Sequence, residues 1–299
     1  MEIDSLSGRI FLKKWPLKGK KLEVVVYWGL GLSTLKFLEI IGLLLLDQGK
    51  TEVLFQKVSF ARSSQNHFFS NGQKNIIGVP DAVIFEGPLA GGHLGFKMHE
   101  VNEPKISLSS IIEEIIPIIK FYELKFDKEI PVIAGGGVYT GQDVYDIMKV
   151  GAKGVKMGTR FVTTYECDVS DNFKQVYLSS TSNDITTINS PVGLPGRVIS
   201  NDFVKQIQAG KQKPVNCPWK CLKTCDYKKV QFCIADALFN AAKGNFSGGF
   251  AFAGTNAYRA EKIITVKETI DQIKEEFFQE EHHTEADKLF RCCGYLYGR

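Results

Sequence analysis

Between Ile130 and Phe161 the chain runs through an apolar segment, a glycine cluster, a helix-patterned segment, a second apolar segment and a second glycine cluster. Few folds accept that order. Ile130-Pro131-Val132-Ile133-Ala134 is short and apolar throughout, as a strand covered on both faces must be, and Gly135-Gly136-Gly137 follows it. Thr140 with Asp143 three residues later is an N-cap signature; Val144, Ile147, Met148 and Val150 recur behind it at helical spacing. Gly151 stands where a left-handed C-terminal cap belongs. Gly154-Val155-Lys156-Met157 is strand-like and ends in Gly158-Thr159-Arg160-Phe161. This is a βαβ unit with a right-handed crossover, and it predicts an α/β fold. In a (β/α)8 barrel, the loops after two late neighbouring strands make a phosphate site. Backbone N–H groups there reach phosphate oxygens without side chains in the way. A triple glycine alone is more often a plain turn; the second glycine loop on the next strand is what points to a ligand. Lys156, near a strand end, reads as solvated.

A third glycine-rich loop carries a titratable group. The apolar run Ala82-Val83-Ile84-Phe85 leads into Glu86-Gly87-Pro88-Leu89-Ala90-Gly91-Gly92-His93-Leu94-Gly95. Glycine lets a backbone approach a flat ligand in dihedrals that other residues avoid, and histidine moves protons near neutral pH. A lone histidine is more often structural, but a strand end, glycines and His93 together describe a catalytic loop.

The stretch from Glu86 to Gly95, Pro131 to Gly137, and Gly151 to Phe161 resembles the nitronate monooxygenases, formerly called 2-nitropropane dioxygenases. The FMN-dependent enoyl-ACP reductases are close relatives with the same motifs. The resemblance covers residues 79 to about 275. It implies a TIM (β/α)8 barrel that binds FMN and a small-molecule substrate, with His93 acting on that substrate beside the flavin. Glu86 falls where members often carry a glutamine touching the flavin ring. Gly91 matches a backbone contact to the cofactor, Gly136 and Gly137 the first phosphate loop, and Met157, Gly158 and Thr159 the second. The implied activity is oxidation of an alkyl nitronate with O2 to a carbonyl compound and nitrite. The alternative is NAD(P)H-dependent reduction of an enoyl thioester through FMN. A third reading is an inactive, flavin-free remnant whose cysteine-bearing lobe binds a metal or a partner.

Residues 1–78 depart from that pattern. The counterpart of the family's Gly-Gly-Met-Gly loop is Val26-Tyr27-Trp28-Gly29-Leu30-Gly31-Leu32-Ser33, with bulky residues where the glycines and the methionine belong. The interval from Leu35 to Val79 is shorter than four βα units need. This part is expected to be a divergent or incomplete half of the barrel, or the product of a shifted reading frame, to which its unpatterned apolar composition leans.

Residues 79–161 then hold the barrel segment with the FMN loops, 162–279 a C-terminal lobe with a closing helix from Val266 to Phe278, and 280–299 a solvated tail. A capping box at Ser110–Glu113 is expected to open a helix that Pro117 kinks. Residues 190–197 read as a loop, either one that covers the active site, as in the family, or an ordinary connection. Cys217, Cys221, Cys225 and Cys233 have C-x3-C-x3-C-x7-C spacing, which suits an iron–sulfur cluster or zinc; free thiols are the other reading. The opening residues lack a secretory pattern, so a reducing, cytoplasmic setting is expected. A net charge of +4, with no basic stretch interleaved with aromatics, argues against a nucleic-acid groove. Residues 24–46 are long enough to cross a bilayer, but Lys36 and Glu39 near their middle make that costly, and no membrane association is expected.

Overall fold

The computed structural model describes residues 82–101, 106–211, 217 and 226–294, with side chains as far as His282, and the backbone of five strands before residue 62. The first five strands are β1 (Ile3–Asp4), β2 (Arg9–Phe11), β3 (Lys21–Tyr27), β4 (Ile41–Asp47) and β5 (Val58–Ala61). β6 (Ala82–Glu86), β8 (Val132–Gly135) and β9 (Gly154–Met157) follow as sheet strands, while β7 (Gly92–His93) lies apart from them. The main sheet has the order β1-β2-β3-β4-β9-β8-β6-β5. From β5 through β6 and β8 to β9 every pairing is parallel. Ala82 to Phe85 and Val132 to Gly135 are buried on both faces, as the unbroken apolar runs require.

The other half of the sheet differs from the expected barrel. β9 pairs with β4 antiparallel, and β4, β3, β2 and β1 continue antiparallel. A (β/α)8 barrel needs parallel neighbours joined by helical crossovers. β3 and β4 take up the two ends of the apolar stretch from residue 24 to 46. No described helix is long and apolar enough to cross a membrane. Trp28 to Ser33 lie outside the described residues, as does Cys292-Cys293 for its side chains.

Helix α1 (Leu108–Phe126) starts before the expected position. Ser107 is its N-cap: the Ser107 hydroxyl accepts from the Ser110 amide and the Ser110 hydroxyl from the Ser107 amide, both at 3.0 Å. Serine at the third helical position thus does what glutamate does in the commoner box. Pro117 sits inside the helix. Helix α2 (Gly141–Val150) has the Thr140–Asp143 capping box and the Gly151 cap at φ +126°, as expected. Short α3 (Thr159–Val162) follows β9 directly. α4 (Asp171–Leu178), α5 (Asp202–Gln208) and α6 (Ile234–Ala242) build the lobe. The last helix, α7 (Val266–Gly294), runs through most of the segment expected to be a tail.

Ile111, Ile112 and Ile119 of α1, Val144 and Ile147 of α2, and Val266, Ile270 and Ile273 of α7 meet the β6, β8 and β9 side chains in one core. The lobe has two further clusters, around Phe203, Phe232 and Phe250 and around Tyr177 and Ile199. Its sheet is antiparallel, in the order β10 (Ile185–Asn189), β11 (Pro195–Ile199), β7. The segment before residue 162 therefore lends a strand, and His93 with it, to the lobe.

α2 and α7 touch backbone to backbone. A Cβ on Gly141 would lie 2.1 Å from Ile273 O and 2.4 Å from Phe277 N. Gly141→Ala is therefore expected to force the helices apart and cost about 1–3 kcal/mol of stability. Urea unfolding of the variant checks this; an unchanged midpoint would rule out the close approach.

Candidate functional site

Parallel pairing brings the C-terminal ends of β6, β8 and β9 to one edge, so the three glycine loops foreseen in the sequence lie side by side. The Gly87 amide donates to Gly135 O at 2.8 Å. Gly136 and Gly137 have φ of +94° and +95°, a region that side chains disfavour. A Cβ on Gly136 would meet Gly87 O at 2.8 Å, and one on Gly137 would meet Leu89 Cβ at 2.9 Å. These glycines thus let the loop after β6 seat on the loop after β8. Gly91 is pressed likewise on the backbone of Ala253 and Gly254, its Cβ position 2.5 Å from Gly254 N. Gly254 N donates to Thr159 Oγ1 at 2.9 Å, and Asn256 Nδ2 to Gly137 O at 2.6 Å. Gly158 is the N-cap position of α3. Of the predicted site residues, Gly91, Gly136, Gly137, Gly158 and Thr159 therefore converge. Met157 stands with them along the chain, but its side chain belongs to the core. Asn256 was missed, since one asparagine in a turn-rich stretch carries no signal until the fold places it.

Glu86, Gly135 and Lys156 are in register across β6, β8 and β9. Lys156 Nζ donates to Glu86 Oε1 at 2.8 Å. The Gly135 Cβ position is 3.2 Å from Lys156 Cβ, so glycine leaves the lysine stem room on the middle strand. Lys156 is only 10% exposed at its side chain and Glu86 33%. The reading of Lys156 as solvated is thus corrected: a carboxylate two strands away holds it against the sheet.

His93 sits on β7, opposite Gly196 of β11, and the Leu94 amide donates to Pro195 O at 2.8 Å. Its Nε2 is 2.7 Å from Ser190 Oγ, the tautomer deciding which group donates. Phe252 meets the imidazole edge-on at 4.8 Å between centroids. Burial lowers the His93 pKa from its ordinary value, which keeps the ring neutral and able to take a proton at pH 7. Next to it, Gly92 has φ +75° and nothing within 4 Å of its Cβ position. The segment expected to be a loop over the site is a hairpin: Ser190 to Leu194 turn between β10 and β11, and the Ser190 amide donates to Leu194 O at 3.1 Å. From the same hairpin, Arg197 Nη1 donates to Pro88 O and Ala90 O, both at 2.6 Å.

The cysteine group is not brought together among the described residues. Cys217 and Cys233 are half-buried, Cys233 at the N-cap of α6, while Cys221 and Cys225 lie outside the described residues. Among the described residues no three His, Cys, Asp or Glu side chains are placed to hold a metal ion.

Two measurements test this geometry. Lys156→Met leaves Glu86 without its partner. It should cost about 1–2 kcal/mol, less than breaking a fully buried pair because Glu86 keeps part of its surface in water. Adding Glu86→Gln should recover most of that loss in a denaturant titration. For His93, a lowered folded pKa means that its contribution to stability is intact above the ordinary value of 6.5 and is lost as pH falls through the folded value. His93→Gln should flatten the decline of stability below about pH 6.5, as read by thermal melts across pH; an identical slope would refute the burial.

Residues 63–276 match the family model described as nitronate monooxygenase. A probable nitronate monooxygenase from Staphylococcus aureus is 30% identical over 128 residues, 42% of this chain and 34% of the relative. A 5-hydroxy-7a-methyl-1-oxo-octahydro-1H-indene-4-carboxyl-CoA dehydrogenase from Rhodococcus jostii is 32% identical over 128 residues, 43% of this chain and 31% of the relative. The matched stretch thus spans about a third of the length of these curated relatives. Among solved structures, FabK from Thermotoga maritima aligns with TM-score 0.52 at 24% identity, over 69% of this chain and 57% of that one. Nitroalkane oxidase from Streptomyces ansochromogenes aligns with TM-score 0.51 at 20% identity, over 69% and 54%. These two likenesses speak for the α/β fold. With most of the chain, all three glycine loops and His93 inside the matched range, the protein belongs to the nitronate monooxygenase family.

Proposed function

We propose that the chain is an FMN-dependent oxidoreductase that converts alkyl nitronates, with dioxygen, to a carbonyl compound and nitrite. The observation that carries the reading is a half-buried imidazole, held by Ser190 and Phe252, beside a glycine-lined sheet edge whose loops follow successive parallel strands. The residues present fit the phosphate end of FMN. Gly136 and Gly137 bend the chain through positive φ just after β8, and Gly158 and Thr159 follow the adjoining strand β9, so backbone amides rather than side chains would meet the phosphate there. Glu86 sets no bare negative charge there, because Lys156 compensates it. FMN, when bound, would accept electrons from the substrate and pass them to dioxygen.

The protein's own part is positional and protonic. His93 would take the α-proton of a neutral nitroalkane, or hold the nitronate through a charge-assisted hydrogen bond. Ser190 fixes which ring nitrogen is offered. Phe252 and the hairpin keep water from the ring, and this desolvation strengthens any polar contact made there. The setting expected is cytoplasmic. A second reading is flavin-dependent redox chemistry on an acyl thioester with NAD(P)H. The name of the Rhodococcus jostii relative, a carboxyl-CoA dehydrogenase, favours it.

Mixing the purified protein with FMN should quench flavin fluorescence, and the complex should release nitrite from a nitronate. His93→Ala should keep FMN bound and lower turnover by about 10²-fold or more. NAD(P)H-dependent enoyl reduction without nitrite would support the second reading. No quenching at saturating FMN would sink both.

A further inference from the structure

We infer that Arg197 is a positioning residue: it clamps the loop that carries His93 and thereby sets where the imidazole stands. The inference rests on the proposed role of His93. Arg197 is 5% exposed, and among the described residues no carboxylate lies within ion-pair distance of it. Burial lowers its pKa to about 10. A buried cation without a counter-ion is expensive, and an apolar side chain of similar volume is usually neutral or better for stability. Core packing therefore does not explain an arginine here. What the guanidinium does, and an apolar group cannot, is satisfy two carbonyls of one loop. Its Nη1 donates to both Pro88 O and Ala90 O at 2.6 Å. Those carbonyls flank Leu89 in the segment that leads straight into Gly92 and His93.

The geometry makes this contact a control on His93. β7 has only two residues, paired as Gly196 with His93 and Arg197 with Gly92. Adjacent residues on a strand point to opposite faces. The Gly196 Cβ position lies 2.8 Å from the Phe252 ring, which also meets His93, so these share one face. Arg197 projects from the other face onto the loop. One face of the small sheet thus holds the imidazole through Ser190 and Phe252, while the opposite face is pinned by Arg197. β11 is itself tied down, since Ala253 N donates to Arg197 O at 3.1 Å. The loop's early part is also held by Gly135 O, which accepts from Gly87 N, and by Thr255, whose amide and hydroxyl donate to Leu89 O. Nearer His93, the backbone is held, besides the clamp, by the two-residue ladder and the Leu94 amide to Pro195 O.

The test uses the full-length protein carrying Arg197→Met or Arg197→Lys. The His93 pKa is read by NMR on histidine-labelled protein, with the resonance assigned from His93→Gln. Turnover is measured on the FMN-loaded protein. With methionine, the loop should loosen and water should reach the ring. The His93 pKa should then rise toward 6.5, and kcat should fall about 10²-fold, with KM changed less and the melting temperature nearly kept. Lysine, whose single nitrogen can meet both carbonyls as Nη1 does, should restore both properties. Should the methionine variant not fold, Arg197→Gln, too short to reach both carbonyls, takes its place with the same readouts. An unchanged His93 pKa and kcat in the folded methionine or glutamine variant would overturn the inference. So would a loss of kcat matched by lysine and unaccompanied by any pKa change. A wild-type protein that binds no FMN, yet shows the pKa rise in the variant, would refute the proposed function and leave the clamp standing.

Discussion

The site depends on a parallel register: Glu86 beside Gly135 beside Lys156 across three neighbouring strands. This alignment ends β6, β8 and β9 together, so their loops leave from one edge and stack. Glycine in the middle lets a salt bridge span the outer strands, which ties β9 to β6 over β8. The ion pair is only partly buried, so most of its value is in holding the two outer strand ends in place rather than in net stability.

Above that edge the loops rest on one another through backbone. Gly136 under Gly87, Gly137 under Leu89, and Gly91 against Gly254 are contacts in which a methyl group would have no room. Close backbone packing of this kind makes a rigid floor. The lobe supplies the wall: its hairpin adds β7 to a second sheet and presses Ser190 and Phe252 on His93. An imidazole held this way loses water, and its pKa falls because the charged form is the one that water had stabilised. The floor and wall come from segments far apart in the chain.

Membership of the nitronate monooxygenase family rests on residues 63–276. Of the strands before this range, β5 is parallel to β6, while β1 to β4 have antiparallel neighbours.

Local chemistry was legible in the amino-acid order. Thr140, Asp143 and Gly151 delimited α2, the apolar runs marked β6 and β8, and the glycine clusters marked the loops, since caps, periodicity and backbone freedom act over a few neighbouring residues. Even there, the start of α1 was misplaced because Ser110 could serve equally as cap or as third residue of a box opened by Ser107. The helix after Gln279 was missed for want of an apolar face. Tertiary structure alone decided which distant groups meet: Lys156 with Glu86, His93 with Ser190, Arg197 with the carbonyls of Pro88 and Ala90. A lone lysine, serine or arginine carries no periodicity and no propensity that names its partner. Its partner is set by strand order and register, which arise when the chain as a whole buries its apolar surface.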